Sequence, residues 1–330
     1  MAYLDRNSVR QRELNTLPVA LDDTILWDCS SKGWHCCVDF GIPVKPYDVI
    51  RLRHSTGKTS RDLINQNAIT FQWAGDGLNG WLAQLPYQTN HRACMFYEEL
   101  TNQDLARVRA EDPGRFQSFP PAVQQAADRQ QGGNYRVAGL CTAHANRPEA
   151  CRSFPFMRHA NWEDRPDQSP VSQVHRCGTC ALRKQTTVRD IVLDNGLEDF
   201  WRADLLWRAT KRYLLSRGLG NFTDASYRAL PLDAADRLEL WGGCFNPDTL
   251  PAVTERFADQ WQLASDLDGD RDVHHLVLTH ALDRVDTLVA ASGVAIEDLG
   301  PEGEPPMDRP DLDALLDPSL PMLPVISAAA

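Results

Sequence analysis

The chain has 330 residues, a formal net charge of −11, and 42% apolar against 24% charged residues, the proportions of an ordinary globular protein. The excess of carboxylates disfavours nucleic acid and anionic lipid as partners, since both select positive charge. The opening stretch, MAYLDRNSVRQRELNTLPVALDD, is charged throughout, and no apolar run approaches bilayer-spanning length; the expectation is a cytoplasmic chain with no membrane partner.

Residues 1–27 read as a polar lead-in with a short helix ending at Pro18. Residues 38–40 suit a short strand. Residues 46–52 read as a helix, with Pro46 in its first turn, Val49, Ile50 and Leu52 on its apolar side, and Gly57 as its stop. Residues 59–92, rich in Gly, Asn, Gln and Trp, read as short strands and loops. Thr101 is placed to cap a helix through residues 104–108, ended by Asp112, Pro113 and Gly114. Residues 113–134 read as an exposed excursion, and residues 157–175 as a polar loop.

The character then turns helical. Leu197, Trp201, Leu205, Ala209 and Tyr213 recur every four residues, with Gly218 as a stop. Val253, Phe257, Trp261 and Ala264 nearly repeat the spacing; Val273, Val277, Ala281, Val285 and Leu288 make a third stripe, ended by Gly293. Residues 300–330 are acidic and proline-rich, a composition that predicts disorder. The expected class is α+β. A small, metal-stabilised, loop-rich cysteine-cluster domain over residues 28–185 is followed by a mainly α-helical region over 186–299.

Eight of the nine cysteines lie between Cys29 and Cys180, and only Cys244 lies beyond. Cys36 and Cys37 cannot readily bridge each other, because consecutive α-carbons sit about 3.8 Å apart, below the roughly 4.4 Å edge of disulfide geometry. In a reducing compartment, cysteines clustered this way point to metal or redox chemistry. A turn such as Cys177-Gly-Thr-Cys180 brings two sulfurs to one point. The candidate ligands are Cys29, Cys36, Cys37, Cys94, Cys141, Cys151, Cys177 and Cys180. Thiolates need compensating charge, and Arg147, Arg152, Arg176 and Arg183 flank them. Eight thiolates suit two zinc sites or one or two iron–sulfur clusters. The spacings match no ferredoxin run, so structural zinc is the reading kept first.

Cys36-Cys37, Pro46-Tyr-Asp48-Val-Ile-Arg51-Leu52, Cys94-Met-Phe96, Cys141, and Arg147-Pro148 followed by Cys151-Arg152-Ser-Phe154-Pro155 together resemble the YkgJ-like cysteine-cluster family, over about residues 27–180. The resemblance implies a domain that chelates zinc or iron. The family opens on C-x-x-C-x-x-CC; here Ser30, Ser31, Lys32, Gly33, Trp34 and His35 fill the interval between Cys29 and Cys36. His35 is able to bind zinc in a cysteine's place, and Cys177 and Cys180 bring the count to eight.

Other motifs carry less. Gly57-Lys58-Thr59 lacks the earlier glycine of a phosphate loop, where Leu52 stands. Residues 266–272 alternate carboxylates as a calcium loop does, but Arg271 occupies the turn glycine and Val277 the bidentate glutamate. His274, His275 and His280 read as surface or core residues of a helix, and Cys244 as buried and inert. No nucleophile–base set or nucleotide loop is visible. The expectation is therefore a metal-binding accessory protein whose helical region engages a protein partner. The alternative is an iron–sulfur enzyme, for electron transfer or as a protein-modifying methylase distantly similar to flagellin lysine N-methylase. For the latter, the sequence offers no glycine-rich strand–loop–helix to hold S-adenosylmethionine.

Overall fold

The structure, a computed structural model, describes residues 17–18, 22, 24–26, 42–73, 81–85, 94–118, 124–125, 136–153, 156–158, 171–173, 185–220, 226–253 and 267–317. Two compact units interleave along the chain. Unit 1 takes Met1–Gly41, Tyr87–Ala145 and Ala150–Asn195, and unit 2 takes Ile42–Pro86, Asn146–Glu149 and Gly196–Ala330. At the coarse level this is a helix-rich α+β protein, in which the packing does not follow a single cut in the sequence.

Unit 2 begins with strand β1 (Ile42–Val44) and helix α1 (Pro46–Thr56). Proline opens the helix at a position where its missing N–H costs nothing, and Asp48 Oδ2 accepts the Lys45 main-chain N–H at 2.8 Å. Gly57 ends it at φ +63°, a left-handed cap that glycine adopts without strain. Helix α2 (Ser60–Asn65) follows within a stretch expected to be strands and loops. Its start is fixed by a reciprocal cap, with Asp62 N donating to Thr59 Oγ1 at 3.0 Å and Thr59 N to Asp62 Oδ2 at 3.3 Å. Strands β2 (Thr70–Trp73) and β3 (Trp81–Leu85) complete an antiparallel sheet of order β1-β3-β2, with Val44 and Phe71 both opposite Ala83.

The core of unit 2 lies between α1 and three further helices, α3 (Leu197–Ser216), α4 (Ala234–Gly243) and α5 (Leu267–Ser292). Helix α5 packs on α1, α3 and α4. Ile50, Leu250, Val253, Val273 and Val277 form one buried cluster, each worth about 1.5–3 kcal/mol of burial. Trp207 meets Trp241 and Phe245 edge-on at 5.9 and 5.5 Å. Of the stripes read on residues 197–213 and 273–288, Leu197, Trp201, Tyr213, Val273, Val277, Ala281 and Val285 are buried, whereas Leu205, Ala209 and Leu288 are half-buried; the buried face of α3 runs instead through Phe200, Leu206 and Trp207. The intervening stripe over 257–264 lies outside the described residues, as does the strand expected at 38–40.

Beyond α5 the proline-rich stretch is anchored as far as Asp317. Gly300 pairs with Arg228, Arg217 donates to the Met307 carbonyl at 3.0 Å, and Arg309 reaches Asp283 at 2.6 Å and Asp286 at 2.8 Å. Composition missed this because the anchors are a few side chains on distant helices. Residues 318–330 lie outside the described residues.

In unit 1, Leu17–Pro18 is a strand where a helix was expected to end. It pairs with Val171–Gln173, which also pairs with Phe156–Arg158, and Thr24–Leu26 pairs with Gln185–Thr187. A second ribbon joins β4 (Tyr97–Thr101) to β5 (Arg136–Cys141). Thr101 caps the expected helix, Asn102–Glu111. The excursion after it begins with a further short helix, Pro113–Ser118. No helix among the described residues is long and apolar enough to cross a membrane.

Candidate metal centre and a buried charge network

Three of the eight candidate ligands, Cys94, Cys141 and Cys151, are described; Cys29, Cys36, Cys37, Cys177 and Cys180 lie outside the described residues, as does His35. The ranges of unit 1 span all eight positions, and Cys244 falls in unit 2. None of the four described cysteines is in a disulfide.

The β4–β5 register delivers two of the thiols to one end of a ribbon. Cys141 stands opposite Tyr97, and the strands are locked just beyond by Thr142 N donating to the Phe96 carbonyl at 2.9 Å. Tyr97 N in turn donates to the Cys94 carbonyl at 2.9 Å, closing the turn that carries Cys94. Cys94 is buried at 6% exposure, and burial pushes its thiol up, partly offset by a main-chain bond from Phe96. Cys141 is half-buried. Cys151 sits half-buried in the short helix Glu149–Ser153. Next to it, Arg152 donates to the carbonyls of Asn195, at 2.9 Å, and of Ala145. One of the arginines expected to offset thiolate charge is thus fixed beside a candidate ligand.

Three thiols outside disulfides are a donor set that suits zinc or iron. Among the described residues, however, no three Cys, His, Asp or Glu side chains converge as a ligand group, so Cys151 does not join Cys94 and Cys141 in one. Cys244 is sealed in unit 2 at 1% exposure, with its thiol pushed up to about 12 by burial, and is inert as a ligand or nucleophile.

Unit 2 holds a second constellation that the sequence did not single out. Helix α1 presents Asp48 and Arg51 inward, both buried. Asp48 Oδ1 accepts the Glu149 N–H at 2.8 Å. Arg51 donates to Asn146 Oδ1 at 2.6 Å and to Asp270 Oδ2 at 2.5 Å, and Asn146 Nδ2 donates to Ser55 Oγ at 2.9 Å. His54 Nε2 lies 2.8 and 2.9 Å from the two Asp270 oxygens. Lys45 Nζ lies between Glu149 and Asp204, the latter at 2.7 Å, and Arg208 holds the other Asp204 oxygen at 2.8 Å.

Burial pushes the Asp48 carboxyl up to about 7, with the Glu149 charge adding to it and the bonds from Glu149 and Lys45 opposing. Burial would lower the Lys45 ammonium, but Asp204 and Glu149 outweigh it and hold the group above its ordinary range. Beside this network, His274 is 1% exposed and both ring nitrogens lack a hydrogen-bond partner among the described residues. Its ring lies 5.5 Å from that of Tyr47, whose hydroxyl also has none. Burial pushes His274 down to about 3, with His275 adding to the shift, so the ring is neutral. The available signal was the pair Asp48 and Arg51 interspersed with Val49, Ile50 and Leu52; their partners, about 100 to 220 residues away, are set by the fold.

Compared with known proteins, the chain matches no protein-family model, no curated protein sequence and no solved structure.

Proposed function

We propose that the chain is a metal-binding protein of the YkgJ-like cysteine-cluster type. Unit 1 holds zinc or iron through cysteine thiolates, and the protein acts as an accessory module with a protein partner at its helical region. The observation that carries this reading is the β4–β5 register, which sets Cys94 and Cys141 at one ribbon end with neither in a disulfide. A second observation supports the resemblance. Asp48 and Arg51 of the first motif bond to Glu149 and Asn146, immediately before Cys151 of the second.

Thiolate is the ligand form, so the raised Cys94 thiol gives up its proton as the metal binds. Elemental analysis and a visible spectrum of anaerobically purified protein test the reading. Cys141→Ser and Cys151→Ser should each lower bound metal, and Cys244→Ala should leave it unchanged. Equal metal in all three variants, or protein folded without metal or sulfide, would overturn the proposal. Brown protein carrying iron and sulfide would move it to the iron–sulfur alternative, with electron transfer as the first activity to assay.

A further inference from the structure

Unit 2 contains a cavity of about 580 Å³ lined by residues of α2, β2, α4, α5 and the turn after α4, well within the range of pockets that take small organic ligands. Its apolar surface includes Phe71, Leu250, Val277 and Ala281, and its polar surface includes Asp236, Glu239, Asn246 and Arg284.

Two adjacent glycines in α4, Gly242 and Gly243, also line it. Glycine in a helix costs up to about 1 kcal/mol relative to alanine, so its presence asks for a reason. Neither residue has a positive φ, which removes the conformational reason. A Cβ added at either would meet no described atom within 4 Å, which removes close packing. What remains is the space itself, since a side chain at either position projects into volume that no described atom fills.

Of the charged residues that line the cavity, Asp236 is half-buried, and Glu239 and Arg284 are exposed. Asp236, Glu239 and Arg284 form no ion pair among the described residues, whereas Arg309 engages both Asp283 and Asp286 on the same helix as Arg284. Asn246 Oδ1 is buried without a donor among the described residues. Acceptors therefore predominate, with two carboxylates and an amide oxygen against one guanidinium and the His280 ring.

We propose that this cavity binds an organic amine with a bulky apolar body. The ammonium faces Asp236 and Glu239, the body fills the volume beside Gly242 and Gly243, and Arg284 accommodates a carboxylate when the ligand is an amino acid. Three indoles that share one ring system separate these contributions by titration calorimetry: tryptamine, tryptophan and indole-3-propionate. Tryptamine and tryptophan should bind saturably with one site per chain, and indole-3-propionate at least about fivefold more weakly, the scale of one exposed charge pair. Asp236→Asn combined with Glu239→Gln should remove that preference. Gly243→Leu should abolish binding of all three while leaving the thermal transition unchanged or raised. The proposal fails if tryptamine and tryptophan do not saturate by about 1 mM, if the propionate binds as well as the amines, or if Gly243→Leu binds like the parent.

Discussion

Asp48 and His274 are buried in the same unit, and burial acts on them with opposite signs. The Asp48 carboxyl rises to about 7 because the low-dielectric interior, and then Glu149, penalise its charged form. The folded state therefore holds this proton where the unfolded chain has released it. The stabilising contribution is full below about pH 4 and is lost as pH rises to about 7. For His274 the folded value drops to about 3, so the unfolded chain takes up a proton that the folded chain refuses. Its contribution is present above about pH 6.5 and is lost as pH falls towards 3. Between pH 4 and 6.5 the two slopes oppose each other. Relative to the parent, Asp48→Asn should show stability that rises more steeply with pH across this window. His274→Phe, which also removes two unpartnered ring nitrogens, should show stability that falls more steeply. Urea midpoints measured from pH 4 to 7.5 decide the matter: two variant profiles parallel to the parent would show that neither group titrates differently on folding.

At the scale of elements, charge burial separates ion pairs that matter from those that do not. Arg51 and Asp270 are 9% and 4% exposed in their side chains, and the guanidinium also holds Asn146. Arg51→Met removes the ion pair and leaves the buried Asp270 carboxylate to His54 alone, and should cost about 3 kcal/mol, the lower end of the range for a broken buried pair. Arg309 also contacts two carboxylates but is 40% exposed, so Arg309→Met should cost less than about 1 kcal/mol. Equal losses in denaturant unfolding would contradict the distinction. Backbone geometry supplies a second case at the end of α3. Gly218 has φ +82°, and a Cβ there would lie 2.3 Å from Leu230 N. Gly218→Ala should destabilise by more than the roughly 1–2 kcal/mol of left-handed strain alone, because the chain at Leu230 must also move.

How much of this was legible depended on whether the signal was local. Pro46 and Gly57 bound α1 as the sequence suggested, and Thr101 capped its helix. The same threonine–aspartate cap stands at Thr59 and Asp62, yet α2 went unread because six residues flanked by Gly, Asn and Gln show no periodicity. The inward Asp48 and Arg51 were visible as residues, but Asp270 and Glu149 carry no sequence mark of their pairing. The cavity was invisible for a similar reason, since its walls come from α2, β2, α4 and α5, which are far apart in the sequence.

At the scale of the whole molecule, the two units use the chain in alternation, and a boundary drawn from cysteine density could not see this. Cysteine density reports where candidate ligands lie, whereas unit membership follows packing; Ile42–Pro86 lies among the cysteines in sequence and belongs to the unit of the long helices. That division gives the metal proposal a spatial consequence. All eight candidate ligands fall within the ranges of unit 1, while unit 2 has its own apolar core around α1, α3 and α5. A structural thiolate site contributes on the order of 10–16 kcal/mol to the segment it closes in small zinc-dependent domains. Its removal should therefore be felt first where the sulfurs are. Hydrogen exchange followed by mass spectrometry, on protein stripped of metal under reducing conditions, should show faster exchange in β4 and β5. The amides of α5 in its buried turns, around Val273 to Val285, should keep the protection of the metal-loaded protein. Equal loss of protection in α5 would mean that the metal, if present, stabilises the chain as a whole. Unchanged protection in β4 and β5 would remove Cys94 and Cys141 from the ligand set, because an ion held by those sulfurs cannot leave without freeing the ribbon end that carries them.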